Sequence, residues 1–210
     1  MKSLSFASFL FVSVSFLGTA FASSKALNPD IRFCDNIAQI DPMVSRAHDS
    51  VDLLKQEGFD VERIVVSKDR RQIYLISGET VLRSYPVAFG FDSQGGAKQF
   101  EGDGKTPEGL YFIDYKNPQS MYTKALHVSY PNTADVAFAK SKGKSPGGDI
   151  MIHGFPSEEG YRQRVQYVHP NRDWTEGCVA VTNEQIAEIY ALVAEKTLVE
   201  ICKLTPSAIK

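Results

Sequence analysis

From Glu62 onward the chain alternates apolar and polar positions with a period of two. The runs ERIVVSK (62–68), RQIYLISG (71–78) and TVLRSYPVAFG (80–90) are rich in β-branched and aromatic residues. Lys68–Arg71 and Ser77–Glu79 are polar breaks of turn length, so the spacing predicts a meander of strands. LYFIDY (110–115), KALHVSYPN (124–132) and GDIMIHGF (148–155) add further strands. GGAKQFEGDGKTPEG (95–109) and SKGKSPGG (141–148) are too polar and too rich in glycine for core elements and read as connections.

Helical spacing occurs at the two ends. Asp41–Pro42 reads as an N-cap with proline at the first helical position, and Val44, Ala47, Val51 and Leu54 then recur until Gly58. Thr182 and Gln185 form a T-x-x-Q capping box ahead of Ile186, Ile189, Tyr190 and Val193. The pattern therefore predicts a mainly β domain, a sandwich or closed barrel, with few helices and one of them N-terminal.

The first 22 residues belong to neither pattern. Lys2 precedes an apolar run from Leu4 to Leu17 that ends in Ala20-Phe21-Ala22, the layout of a secretory signal peptide cut before Ser23. The run is shorter than the roughly 20 residues a membrane span requires, and Ser5, Ser8, Ser13 and Ser15 interrupt it. The expectation is an exported protein, in the periplasm or cell envelope, with no stable membrane anchor. Its parts are a leader at 1–22, an N-terminal helical segment at 23–61, a domain at 62–202 and a tail at 203–210. The formal charge of −2, which becomes −3 when Lys2 leaves with the leader, and the lack of a Lys/Arg cluster argue against nucleic acid as a partner.

Export sharpens the meaning of three cysteines. An odd number leaves one thiol without an intrachain partner. Cys34 and Cys202 lie near the two ends of the domain and are expected to pair, leaving Cys178 in DWTEGCVAVTN (173–183), just before the capped helix. With no C-x-x-C or H-x-x-x-H pair, neither a metal nor a cofactor is expected. A free thiol beside glycine and close to a helix start has the setting of a nucleophile, which needs a base. His48 falls on the N-terminal helix, His127 alternates with apolar neighbours, and His169 sits in a proline-containing loop where solvent exposure is the ordinary reading. His153 ends an apolar strand and precedes a glycine, which favours it over the other three, although a hydrogen-bonded core histidine is the alternative.

GDGKTPEGLYFI, then IHG, then WTEGCVAVTN, in that order, resemble the catalytic domain of the YkuD-type L,D-transpeptidases, over about residues 62–202. The resemblance implies a β-sandwich-like fold with mixed sheets. It also implies acyl transfer on peptidoglycan stem peptides: a cysteine thioester forms at the L-to-D amide after the third residue, D-alanine leaves, and an amine of another stem takes the acyl group. Carried over, Cys178 is the nucleophile, His153 its histidine and Gly154 the residue whose carbonyl orients the ring. The N–H groups of Gly177 and Cys178 are candidates for an oxyanion hole. Thr175 is a candidate hydrogen-bonding neighbour, with a turn residue as the alternative. Arg162, Arg164 and Arg172, on the loop expected between His153 and Cys178, are candidates for substrate carboxylates, against a reading as ordinary solvated charge. Lys105-Thr106-Pro107 is expected to shape a turn.

Two positions depart from the family pattern. Glu176 stands where many members have His, and Ala180 where many have Arg. The branch this suggests includes hydrolases, an amidase that releases wall-linked lipoprotein and L,D-carboxypeptidases, so hydrolysis stands beside transfer. A noncatalytic peptidoglycan-binding module is the third reading. A wall-linked lipoprotein is accordingly a candidate partner beside the stem peptides.

Overall fold

The computed structural model describes residues 32–205, so the leader falls outside the described residues. Nine strands form one mixed sheet: β1 (Val44–Ser45), β2 (Arg63–Ser67), β3 (Gln72–Ser77), β4 (Thr80–Pro86), β5 (Gly109–Asn117), β6 (Ala125–Val128), β7 (Met151–His153), β8 (Val179–Ala180) and β9 (Leu198–Cys202). Their order is β1-β4-β3-β2-β9-β5-β6-β7-β8. The pairs β1/β4, β2/β9 and β7/β8 are parallel and the other five antiparallel.

The sheet folds over through β5. Gly109–Phe112 pair with β9, whereas Ile113–Asn117 pair with β6, with a register shift between Ile113 and Tyr115, so one strand belongs to both layers. Beyond β4 the chain reaches the opposite edge, where Ala88 bridges Ala180. Between the layers lies the main core, with Ile64, Val66, Ile73 and Leu75 facing Ile113, Leu126, Ile152 and Val179. The mainly β architecture is the one the alternation predicts, and the mixed pairing is the one the resemblance implies.

The strand β2 is buried at every position, which one packed face cannot explain. Its alternate residue Val65, with Tyr74, Ile76 and Val81, faces a second cluster built with Phe33 and Ile40. The N-terminal segment therefore covers the back of the sheet. Cys34 is joined there to Cys202 in a disulfide, with 4.8 Å between Cα atoms. The Glu200 carboxylate accepts the N–H groups of Phe33 (3.2 Å) and Cys34 (2.9 Å) and pairs with Arg63 Nη1 (3.1 Å), and both Glu200 and Arg63 are buried.

The N-terminal helix differs from its expectation. Asp41 and Pro42 lie in a turn, Val44–Ser45 lie alongside β4, and helix α1 spans only Val51–Gln56. Ser50 accepts the Leu53 N–H and is the cap that starts the helix, well beyond the start read at Asp41. His48 precedes the helix and is exposed. Gly58 ends it as expected, at φ +78.

Two further helices bury too few side chains to show a clear apolar face. Helix α2 (Thr133–Ser141) buries only Ala139, and helix α3 (Glu159–Val168) only Val165. Each is set by its cap, Asn132 with a full capping box and Glu158 accepting two N–H groups. Helix α4 (Asn183–Leu192) has the capping box of Thr182 and Gln185, with Ile186 and Ile189 buried. No helix among the described residues is long and apolar enough to cross a membrane.

Candidate active site

Strand β8 delivers Cys178 through a loop strapped to the chain after β4. Trp174 and Thr175 both donate their N–H groups to the Phe89 carbonyl (3.2 and 3.0 Å), and the Phe91 N–H returns to Thr175 O (2.8 Å). Asp173 accepts the Phe89 N–H (2.8 Å) and the Arg71 guanidinium (2.6 Å). Three backbones then meet with no room for side chains. A Cβ on Gly90 would lie 2.3 Å from Gly104 O, and one on Gly177, at φ +143, would lie 2.8 Å from Lys105 O. Thr106 is buried under this junction, where its hydroxyl accepts the Gly90 N–H (3.0 Å), so the Lys105-Thr106-Pro107 segment shapes backbone.

His153 is the last residue of β7, whose parallel register sets it opposite Ala180. Cys178 lies beside Met151 on the neighbouring strand, and the Met151 N–H donates to its sulfur at 3.3 Å. The ring nitrogen Nδ1 of His153 sits 2.6 Å from Gly154 O. A carbonyl only accepts, so the neutral ring carries its proton on Nδ1 and leaves Nε2 as the basic nitrogen. Gly154 is fixed by crowding: a Cβ there would lie 2.7 Å from Asn183 Oδ1 and 2.8 Å from Ile186 Cγ2. Tyr122 packs on the ring at 4.4 Å between centroids, and Trp174 meets it edge-on at 5.8 Å.

Both titrating groups are neutral at rest. Burial pulls His153 down to about 4, against the opposing hydrogen bond to Gly154. Burial pushes the Cys178 thiol up to about 11, partly offset by the Met151 N–H, and nearby Asp149 and Glu176 add to the rise. Glu176 is exposed and lines the cleft, and its charge reaches Cys178 as the smallest of those causes. An ion pair of thiolate and imidazolium is therefore not preformed. The thiol must surrender its proton as it attacks, which is the task of a general base.

Cys178, His153, Tyr122, Tyr161 and Trp174 line one cleft of about 910 Å³. Its other charged lining residues are Glu101, Asp149, Glu176 and Lys98, and Lys98 is tied to Asp103 at 3.0 Å. Arg162, Arg164 and Arg172 are not among its lining residues. The loop expected there is largely α3, which gives Tyr161 to the cleft and Val165 to the core, and Arg164, three residues on from Tyr161 along the same face, stacks over the Tyr161 ring at 5.6 Å. Ala180 is fully buried, exchanging both backbone hydrogen bonds with Ala88.

Three other expectations change. Thr175 touches the cleft, but its buried hydroxyl donates to Cys178 O (2.7 Å) and accepts the Gly177 N–H (3.2 Å), so it holds the nucleophile's loop and is not free for substrate. The Gly177 N–H is thereby removed from the oxyanion hole, whereas the Cys178 N–H has no partner among the described residues. His169 is not a solvated loop residue: it packs edge-on to Phe155 at 5.1 Å, and burial pulls it down to about 4. Asn183 is a site residue that sequence reasoning does not single out. Its amide oxygen accepts the Phe155 N–H (2.8 Å) and the Thr123 hydroxyl (2.9 Å), tying the residues after His153 to α4 and to the Tyr122 loop. Its place directly after a capping threonine is the available signal.

No group of three or more His, Cys, Asp and Glu among the described residues could hold a metal ion. The chain is 32% identical over 136 residues to YafK of Escherichia coli K12, named as a candidate L,D-transpeptidase; the match covers 62% of this chain and 46% of that one, so it spans under half of that relative. Its fold is similar to that of a variant of the helical cell shape determining protein Pgp2 from Campylobacter jejuni, with TM-score 0.50, 24% identity, and coverage of 76% of this chain and 59% of that one. Residues 61–201 match the YkuD L,D-transpeptidase catalytic domain, and with two thirds of its length inside that match the chain belongs to this family.

Proposed function

We propose that this protein is an exported cysteine acyltransferase that acts on the stem peptides of peptidoglycan. Cys178 Sγ attacks the carbonyl carbon of the amide after the stem's third residue, and its proton passes to His153 Nε2. The tetrahedral intermediate collapses with loss of D-alanine, which takes the proton from His153, and a thioester on Cys178 remains. An amine of a second stem attacks that thioester in turn. The observation that carries the reading is a half-buried thiol and a histidine of fixed tautomer lining the same cleft. Export rests on the leader pattern of residues 1–22.

A specific observation favours hydrolysis as a second reading. Three carboxylates line the cleft, and its lysine is already bonded to Asp103, so a second stem's carboxylates find no free cation there. The deciding experiment supplies tetrapeptide muropeptides with a labelled D-amino acid. Label in the product supports transfer. Shortened stems or released peptide alone, at a rate independent of acceptor, assign the enzyme to hydrolysis. A lack of any turnover, together with an unreactive Cys178 thiol, favours a noncatalytic binding module.

A further inference from the structure

His153 must hold the right tautomer before it can act as a base, because only a neutral ring protonated on Nδ1 leaves Nε2 free to take the thiol proton. The Gly154 carbonyl, 2.6 Å from Nδ1, selects that tautomer. Crowding by Asn183 Oδ1 and Ile186 Cγ2 requires glycine at this position. Without a Cβ, glycine restrains its own backbone least, so the carbonyl needs a hold from outside. The Gly154 N–H, bonded to Tyr122 O at 3.2 Å, fixes the preceding peptide unit and not this one.

The hold lies on the other side of the same peptide unit. A trans peptide is planar, with its C=O and N–H directed oppositely. In the Gly154–Phe155 unit the C=O meets the His153 ring, and the Phe155 N–H donates to Asn183 Oδ1 at 2.8 Å. Turning the carbonyl away from Nδ1 therefore breaks the bond to Asn183. Asn183 is itself anchored. It is the first residue of α4, directly after the Thr182 cap, and the helix is seated in the core by Ile186 and Ile189. The Thr123 hydroxyl sits 2.9 Å from the same amide oxygen and 3.2 Å from Phe155 O. Asn183 is not among the residues that line the cleft, so its route to the reacting atoms is this peptide.

Resting on the acyl-transfer reading, we propose that Asn183 is a positioning residue for the base: its amide oxygen locks the Gly154–Phe155 peptide plane, and the plane keeps the proton of neutral His153 on Nδ1. When Cys178 attacks, the thiol proton goes to Nε2, and Gly154 O still accepts the Nδ1–H of the resulting imidazolium. Passing the Nε2 proton to the leaving amine returns the ring to its starting tautomer for the second half of the reaction. Asn183 exchanges no proton at any step.

The test reads the tautomer itself and needs no substrate. In the full mature protein labelled with 15N-histidine, the ring-nitrogen shifts near pH 7 separate a protonated Nδ1 from a protonated Nε2, and His153→Gln identifies which signals belong to His153. The wild type should show Nδ1 protonated. Asn183→Ala removes the acceptor and should move His153 to mixed tautomers or to the Nε2–H form. Its kcat on tetrapeptide muropeptides should fall roughly 10- to 100-fold, the usual loss when a group that orients a reacting one is removed, with KM near wild type. Asn183→Asp keeps an oxygen for the Phe155 N–H and should restore the wild-type tautomer and most of the turnover. If Asn183→Ala does not fold, Asn183→Ser, whose hydroxyl is one bond too short to replace the amide oxygen, takes its place with the same expectation. A wild-type tautomer in the variant without the acceptor overturns the proposal, as does an equal loss in Asn183→Asp, which would assign the residue to packing. If the wild type turns over no muropeptide, the acyl-transfer reading falls, and the tautomer comparison still decides the role of Asn183.

Discussion

The two faces of this sheet are built on opposite principles. At the back, Glu200 is met by donors: two backbone N–H groups and the Arg63 guanidinium, beside a disulfide and an apolar cluster. At the front, the cleft holds a thiol and an imidazole that burial keeps neutral, a tyrosine hydroxyl without a partner among the described residues and three carboxylates in its lining. Buried polar groups left unsatisfied cost stability, so a fold tolerates them where a ligand completes them. At the back the Glu200 carboxylate is satisfied by the chain itself, whereas at the front polar groups stay open to the cleft. The disulfide supports this division. It closes a loop with a sequence separation of 168, and such a bridge contributes roughly 2 to 4 kcal/mol by restricting the unfolded chain.

The largest effect should separate the faces completely. Cys178→Ala should abolish muropeptide turnover while the melting temperature stays near wild type. His153→Ala should lower turnover by roughly 10²- to 10⁴-fold, the usual loss for a general base. Appreciable turnover by Cys178→Ala would remove the front face's claim to chemistry. At the back, Glu200→Ala strips one carboxylate from three buried donors and should cost about 3 to 5 kcal/mol in denaturant unfolding. The folded fraction should retain wild-type turnover; a proportionate loss of activity would show that the two faces are not separate.

Acid should reveal the cost of the neutral histidine. His153 falls from 6.5 to about 4 on folding, so its contribution is fully present above about pH 6.5 and is lost as pH drops through about 4. Each tenfold weakening of proton binding is worth about 1.4 kcal/mol, so the stability difference between wild type and His153→Gln should shrink by about 3 kcal/mol between pH 7 and pH 4. A difference independent of pH would mean that the ring binds its proton as strongly in the folded state as in the unfolded chain. The smallest effect is expected on α3 and the turn after it. Changing Arg162, Arg164 and Arg172 together to Ala should alter turnover by no more than about twofold, since none of the three lines the cleft. A large loss would return the substrate's carboxylates to that helix.

The residues legible in the sequence are those that local chemistry specifies. The period of two sets β2 to β7 within a residue or two at most boundaries, and the capping box of Thr182 and Gln185 sets α4, because both signals lie within a few residues of one another. Cys178 and His153 emerge from compartment, an odd cysteine and a strand ending in glycine. Helices α2 and α3 escape the pattern because each buries a single side chain, which leaves hydrophobic spacing almost nothing to report. The N-terminal helix reads too long because Val44 and Ala47 happen to share helical spacing with Val51, although Ser50 intervenes as the actual cap. Tyr122 and the loss of the Gly177 N–H to Thr175 are out of the sequence's reach, since each depends on where separate loops meet.

The central claim is that the front cleft carries acyl groups on Cys178, and trapping that intermediate tests it most directly. The mature protein is mixed with a tetrapeptide muropeptide, quenched in acid after less than one turnover, and weighed intact and after digestion. The account predicts a mass increase equal to the muropeptide less D-alanine, confined to the peptide bearing Cys178 and labile to hydroxylamine. Turnover of the muropeptide without any adduct, or an adduct that persists in Cys178→Ala, would contradict it.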